Sequence, residues 1–398
     1  MVIPEPTYAM FTKKEMARRL ARVRSLMAEQ NVDCLLITGE HNFHYFVGAA
    51  PSIGPNESLT RPSALILPAS EDPVIVSQGL DNIILGTYVN DIRGYLDVLK
   101  FPYTMVCEVF REKGLNTGRI GVELGQEQRM GIPVGDYLEI RKGMPAAQFV
   151  DAADVIIKTR MVKSEEELVD IRKAAEITAK ARQRLYRDHL TPGITERQVA
   201  RLFQQLSLEE GADGTSFVHL QFDTQSQFPG AKNVFHYDRP LRRGAILGID
   251  TGARVGMYTI DYPRMAALGP PTDQQKQLYA QLLMVNRCMV DALRPGVETA
   301  EIHRVGVEAI EKLGMETDSL VRMTAGSRMG HGQGIQFTEP PSITPDDHTV
   351  LEAGMVISTE PGIGDGDIRL LWEDTHVITS HGCELITTES DELIEVPF

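Results

Sequence analysis

With 398 residues, 42% hydrophobic and 24% charged, the chain is an ordinary globular protein and too long for one small domain. A net charge of −15 argues against a nucleic-acid partner, and the lack of any run of about 18 apolar residues argues against a membrane span. The N-terminal stretch MVIPEPTYAMFTKKEMARR has no basic-then-apolar signal, and four scattered cysteines read as buried thiols, so a cytoplasmic location is expected.

The first elements alternate. Residues 12–30 place Met16, Leu20, Val23 and Met27 on one helical stripe. A strand follows at 33–38, then a polar turn leading to Tyr45-Phe46-Val47-Gly48, then a Gly/Pro/Ser-rich loop at 49–62. Further strands are expected at 63–67, 74–76 and 119–123. This is an α/β domain over residues 1–158.

A second domain, 159–398, opens on Ser164-Glu165-Glu166-Glu167, the spelling of a capping box, with Leu168, Ile171, Ala175 and Ile177 turned inward. Pro192-Gly193 then leads a helix bearing Val199, Leu202, Phe203 and Leu206 that ends at Gly211. Pro295-Gly296, Ile302 and Gly314 repeat this pattern at a constant distance of 103 residues. The offset predicts an internal duplication, with two α+β halves facing each other about a pseudo-twofold axis and a cleft between their sheets.

Each half carries two acids on apolar strands. Asp250 ends Ala245–Ile249, and Asp261 follows Tyr258-Thr259-Ile260. With Val255-Gly256 as the hairpin tip, residues whose numbers total 511 are opposed, so Asp250 faces Asp261. Glu360 and Glu373 stand on a second pair of strands, joined by a Gly/Asp-rich connection at 361–367. His331 sits among glycines in Met329-Gly330-His331-Gly332-Gln333-Gly334, which suits a side chain presented at the mouth of a site. Like charges held this close need a shared cation or proton. Four carboxylates and one imidazole suit two divalent ions with bridging carboxylates and a bridging water, Mn first, with Co, Zn or Fe as alternatives. Metal-assisted hydrolysis is the implied chemistry.

Asp250, Asp261, Gly330-His331-Gly332, Ser358-Thr359-Glu360-Pro361-Gly362 and Glu373-Asp374-Thr375 together resemble the dimetal signature of the creatinase/prolidase/methionine aminopeptidase ("pita-bread") family. Asn42-Phe43-His44-Tyr45, Arg119–Glu123 and Lys163–Glu167 are similar to its two-domain Xaa-Pro dipeptidase and aminopeptidase P branch. The resemblance implies a creatinase-like first domain and a pita-bread second domain. It implies a hydroxide bridging the metals that attacks an Xaa-Pro dipeptide or a related small amide, with Glu360 as ligand and proton shuttle. It also implies a homodimer in which the loop 49–62 serves as a lid. His236 falls where a family histidine stabilises the oxyanion, and Tyr237 beside it falls on the substrate side.

Two positions depart from the pattern. Thr338 stands where the peptidases have a second histidine, and Leu371 where they have an arginine; the nearest one is Arg369. Trp372, the sole tryptophan, is either a substrate wall or a core residue. These departures predict weak turnover of ordinary Xaa-Pro dipeptides. They also keep a second reading alive, a creatinase-like or lyase reaction on a small nitrogenous or osmolyte-like compound. A non-catalytic binding module is disfavoured, because it would let the ligand set decay.

Overall fold

The structure, a computed structural model, describes residues 6–49, 61–221, 238–315, 328–365 and 368–398. Contacts divide the chain into two compact units, Met1–Arg160 and Met161–Phe398.

The first unit runs α1 (Lys13–Glu29), β1 (Cys34–Ile37), α2 (Glu40–Val47), β2 (Ala64–Pro68), β3 (Val74–Ser77), α3 (Leu80–Gly86), β4 (Asp91–Gly94), α4 (Tyr103–Glu112), β5 (Arg119–Val122), α5 (Val134–Gly143), β6 (Gln148–Asp151) and α6 (Ala153–Met161). Its six-stranded mixed sheet has the order β4-β3-β2-β1-β5-β6. Cys34 and Leu36 of β1, two apart, meet Val106, Val109 and Phe110 of α4 in one apolar cluster. The buried row of α1 is Glu15, Arg19, Val23 and Met27. Val23 and Met27 keep the expected stripe, but Glu15 and Arg19 take the buried places expected of Met16 and Leu20: Arg19 pairs with Glu15 at 2.8 Å and its guanidinium lies between the Phe11 and Tyr45 rings. The stretch expected as a turn before Tyr45 is helical, closed by Gly48 at a φ of 73°. The expected loop 49–62 lies almost wholly outside the described residues.

One buried acid belongs to this unit. Glu123, 2% exposed, accepts from Thr38 N (2.8 Å), Gly39 N (2.7 Å), Thr38 Oγ1 (3.1 Å) and Asn42 Nδ2 (2.6 Å).

The second unit runs α7 (Glu165–Asp188), α8 (Glu196–Glu209), β7 (Gly214–Gln221), β8 (Ile246–Val255), β9 (Tyr258–Thr259), β10 (Arg264–Leu268), α9 (Asp273–Ala292), α10 (Thr299–Lys312), β11 (Gly330–Gly332), β12 (Glu339–Ser342), β13 (Val356–Thr359), β14 (Gly362–Asp365), β15 (Ile368–Leu371), β16 (Asp374–Ile378), β17 (Cys383–Leu385) and β18 (Ile394–Val396). The capping box of α7 is present in both directions: Ser164 Oγ accepts from Glu167 N (3.3 Å), and Glu167 Oε2 accepts from Ser164 N (2.8 Å).

The duplication is visible in the backbone. Helices α8 and α10 have 14 residues each, and the glycines that open and close them (Gly193 and Gly211, Gly296 and Gly314) all have positive φ. Thr195 bridges to Pro240 just as Glu298 bridges to Val350. From there the spacing is 110: Gly244 matches Gly354, both at positive φ, and the start of β8 at Ile246 matches that of β13 at Val356. Asp250 thus corresponds to Glu360. Two five-stranded sheets result among the described residues, β18-β10-β8-β7 with β9 on β8, and β12-β11-β13-β16-β17, beside a two-stranded sheet of β14 and β15.

Candidate metal centre

The first pair of acids stands on the hairpin of β8 with β9 and β10, and its register corrects the expected one. Val255 pairs with Tyr258, so the turn is Gly256-Met257 rather than Val255-Gly256. Gly256 has a φ of 57°, a left-handed value open to glycine, and this decides where the chain reverses. The same register continues into β10, where Ile249 pairs with Arg264. Asp250 is therefore across from Pro263, and Asp261 is its diagonal neighbour. A shift of two residues preserves the face, so both carboxylates still point the same way. Gly252 stands opposite Asp261, and a Cβ there would overlap the Ile260 carbonyl oxygen.

The second pair occupies a gap in a longer hairpin. Paired residues total 733 in the β13–β16 ladder (Thr359 with Asp374) and again in β14–β15 (Gly362 with Leu371). The stretch expected as a connection is thus partly strand. Between the two ladders Trp372 N donates to Pro361 O (3.2 Å), and Glu360 and Glu373 face each other on that register. His331 pairs with Ser358 on the other side of β13. Ser358 and Glu360, two apart, share a face, which places His331 in the same layer.

Gln333 holds this layer together. Its Oε1 accepts from Asp261 N (2.9 Å), which fixes the orientation of the amide, and its Nε2 lies 3.0 Å from Glu373 Oε1 and 2.5 Å from Ser358 Oγ. Arg264 fixes the last acid from behind. Its Nη1 donates to Glu373 O (2.6 Å) and its Nη2 to Asp374 Oδ1 (2.8 Å).

His331 Nδ1 lies 3.0 Å from Gly332 O, so that nitrogen carries the proton and donates. The Nε2 lone pair then faces Glu373 Oε1 at 3.7 Å, Glu360 Oε2 at 3.8 Å and Asp261 Oδ2 at 4.0 Å. Burial pushes the imidazole down to about 4, with Glu360 opposing and Arg328 reinforcing, so the ring is neutral at pH 7. Asp261 is pushed well above the usual carboxylate range by burial and then by the charges of Asp250, Glu373 and Glu360. Its Oδ1 has no hydrogen-bond partner among the described residues. A lone pair facing three carboxylate oxygens is repulsive unless a cation or protons intervene. The 3.7–4.0 Å spacing accommodates an ion with bonds of about 2.1 Å to each side. Ligand atoms of Asp261, His331 and Glu373 all lie within 4.8 Å of one another. Oxygen donors with a single nitrogen fit a divalent ion.

The remaining sequence candidates fall in different places. His236 and Tyr237 lie outside the described residues. Thr338 is partly open, and its Oγ1 accepts from Arg328 Nη1 at 2.8 Å. Trp372 is 1% exposed; its Nε1 donates to Asp374 Oδ2 (2.8 Å), and its ring lies 3.9 Å beneath the Arg264 guanidinium. Those are the contacts of a core residue, not of a wall facing substrate. Arg369 folds back over Gly364 on the β14–β15 hairpin and donates to its neighbour's carbonyl, Ile368 O. Three further residues of the site escape sequence reasoning. His219 pairs with Asp250 in the β7–β8 ladder, with Nδ1 3.9 Å from Asp250 Oδ2. Gln333 and Arg328 are the others. Gln333 left one signal, a polar side chain two residues past His331, just beyond the end of β11.

The metallopeptidase family M24 profile matches residues 169–380, more than half of the chain and all of the residues just described. The chain belongs to this family. The first unit matches the creatinase/prolidase N-terminal domain over residues 19–162. As an M24 member the chain is similar to the Xaa-Pro dipeptidase of Pyrococcus horikoshii, 28% identical over 95% of this chain and 99% of that one. It is 29% identical to a probable dipeptidase PepE of Mycobacterium bovis, over 97% of this chain and 98% of the relative. Among solved structures, dipeptidase PepE from Mycobacterium ulcerans superposes with a TM-score of 0.80 at 27% identity, covering 98% of this chain and 100% of that one. The two-domain creatinase-like plus pita-bread architecture is therefore the fold of this M24 protein.

Proposed function

We propose that this protein is a metal-dependent dipeptidase cleaving Xaa-Pro dipeptides, with Asp250, Asp261, His331, Glu360 and Glu373 holding two divalent ions, Mn first among them. The observation that carries this reading is the neutral His331 Nε2 facing three buried carboxylate oxygens at 3.7–4.0 Å. The similarity to Xaa-Pro dipeptidases over almost the full length supports the substrate class. When bound, such ions supply a water of lowered pKa and polarise a carbonyl. The chain's own groups do the rest. With the ions in place, Glu360 would take up a proton and return it to the departing proline nitrogen. Gln333 donates to Glu373 and so keeps one of its oxygens directed at the centre. His236 donates to the oxyanion, which develops negative charge as the carbonyl is attacked.

Elemental analysis together with hydrolysis of glycyl-L-proline tests the reading. Close to two divalent ions per chain, and turnover abolished by chelator, are expected. Protein without metal whose activity ignores chelator overturns the proposal. Cyclic and N-acyl amides in the same panel would reveal the alternative, a non-peptidase reaction on a small nitrogenous compound. A homodimer in the cytoplasm is also proposed; full activity from a monomer in light scattering would count against it.

A further inference from the structure

His219 is a histidine beside the acids that the catalytic reading does not use, and a bulge in β7 decides where it stands. The register slips by one residue between Thr215, opposite Ala253, and Val218, opposite Thr251. On the Thr215 register Val218 would face Asp250. The extra residue brings His219 there instead, and opposed residues project to one face of the sheet. Bulges of this kind re-aim side chains, and a one-residue slip is the smallest that could exchange a valine for an imidazole here. The ring is backed by Phe217, with centroids 4.6 Å apart and planes at 46°.

The spacing at this pair repeats that of the centre. His331 Nε2 faces oxygens of Asp261, Glu360 and Glu373 at 3.7–4.0 Å. His219 Nδ1 faces Asp250 Oδ2 at 3.9 Å, inside the same range. That is too long for a hydrogen bond, and it accommodates an ion with bonds of about 2.1 Å to each side. Leu371, where the family pattern has an arginine, lines a small cavity of about 10 Å³ together with His219, Gln221 and Asp250. A long cationic side chain at 371 would bring positive charge to Asp250 in competition with an ion. Leucine brings none.

We infer that His219 Nδ1 is a sixth metal ligand, acting with Asp250, so that each of the two ions has a nitrogen donor of its own. His219 acts here on the two-ion centre proposed above and adds a preference to it. Imidazole suits zinc and cobalt, whereas an oxygen-only set suits manganese. The ion beside Asp250 is therefore selected toward zinc more strongly than five ligands with a single nitrogen would select it.

Calorimetric titration of the metal-free, full-length protein with zinc chloride and with manganese chloride tests this without turnover. Wild type should take up both metals in two steps. His219→Ala should weaken one step about 100-fold for zinc and about 10-fold for manganese, and leave the other within about twofold. His219→Asp, which offers oxygen in place of nitrogen, should restore the manganese step and leave the zinc step weak. Equal losses for the two metals in His219→Ala would mean that the imidazole only positions Asp250, and would overturn the inference. Two unchanged steps in that variant would overturn it alone, whereas a wild type that binds no divalent ion overturns the two-ion reading beneath it. If the variants fail to fold, cobalt-loaded wild type decides. Its proton NMR spectrum should show two paramagnetically shifted, solvent-exchangeable imidazole N–H resonances, from His331 and His219; a single one overturns the assignment.

Discussion

Glu123 in the first unit and Asp261 in the second are both buried carboxylates, 2% and 5% exposed, yet their surroundings are opposite. Glu123 is met by four donors, two backbone N–H groups, a hydroxyl and an amide. Burial raises its pKa, and each donor pulls it back. For Asp261 burial and the three neighbouring carboxylates all push upward. One acid is satisfied by the protein itself; the other is left facing groups of its own charge. A buried acid met by donors belongs to the architecture, whereas one surrounded by other acids marks chemistry.

The largest expected effect breaks the second acid. Asp261→Asn should lower kcat/KM by about 10³-fold or more, the scale on which a single catalytic group acts, and should lose metal in elemental analysis. Measured in chelator, the same variant should melt no lower than wild type, because it removes a charge that the metal-free protein holds at a cost. A marked fall in that melting temperature would erase the contrast with Glu123.

Glu123→Ala should do the reverse. It strands four donors, so unfolding in urea should show a loss on the order of 3 kcal/mol, while kcat of the folded fraction stays within about twofold. Gln333→Leu comes next and sharpens the comparison, since this amide is the donor that one site acid does possess. Loss of its contacts to Asp261 and Glu373 should cost about 10- to 100-fold in metal affinity, read by competition with a chelator. The smallest effect is expected from Trp372→Phe. Removing the indole N–H from Asp374 should cost about 1 kcal/mol in thermal unfolding and leave KM unchanged; a large rise in KM would restore the tryptophan to the substrate wall.

Much of the second unit was readable because its signals are local. The capping box at Ser164, the Pro-Gly pairs and the constant 103-residue offset each depend on a few consecutive residues. The acids could be grouped because side chains on a strand alternate, and an error of two residues in register leaves the face unchanged. The turn at Gly256-Met257 was missed because the choice between two adjacent tips depends on one backbone angle. Arg328, His219 and Gln333 were missed for another reason. Their partners come from other strands and loops, and nothing in a single sequence gives the distance from residue 328 to 338 or from 219 to 250. Trp372 shows the limit from the other side: adjacency to an acid in sequence says nothing about which way a ring turns.

The interrupted hairpin that carries Glu360 and Glu373 has the same register on both sides of its gap. Each arm therefore behaves as a ruler marked in twos. Adding or deleting one residue in either arm would turn every later side chain to the opposite face and remove an acid from the centre, even if the strands re-formed perfectly. Length in these arms should then be under far tighter constraint than residue identity at most of their positions. Insertion scanning through 356–378 would be expected to fail inside the arms and to succeed, if anywhere, at the tip.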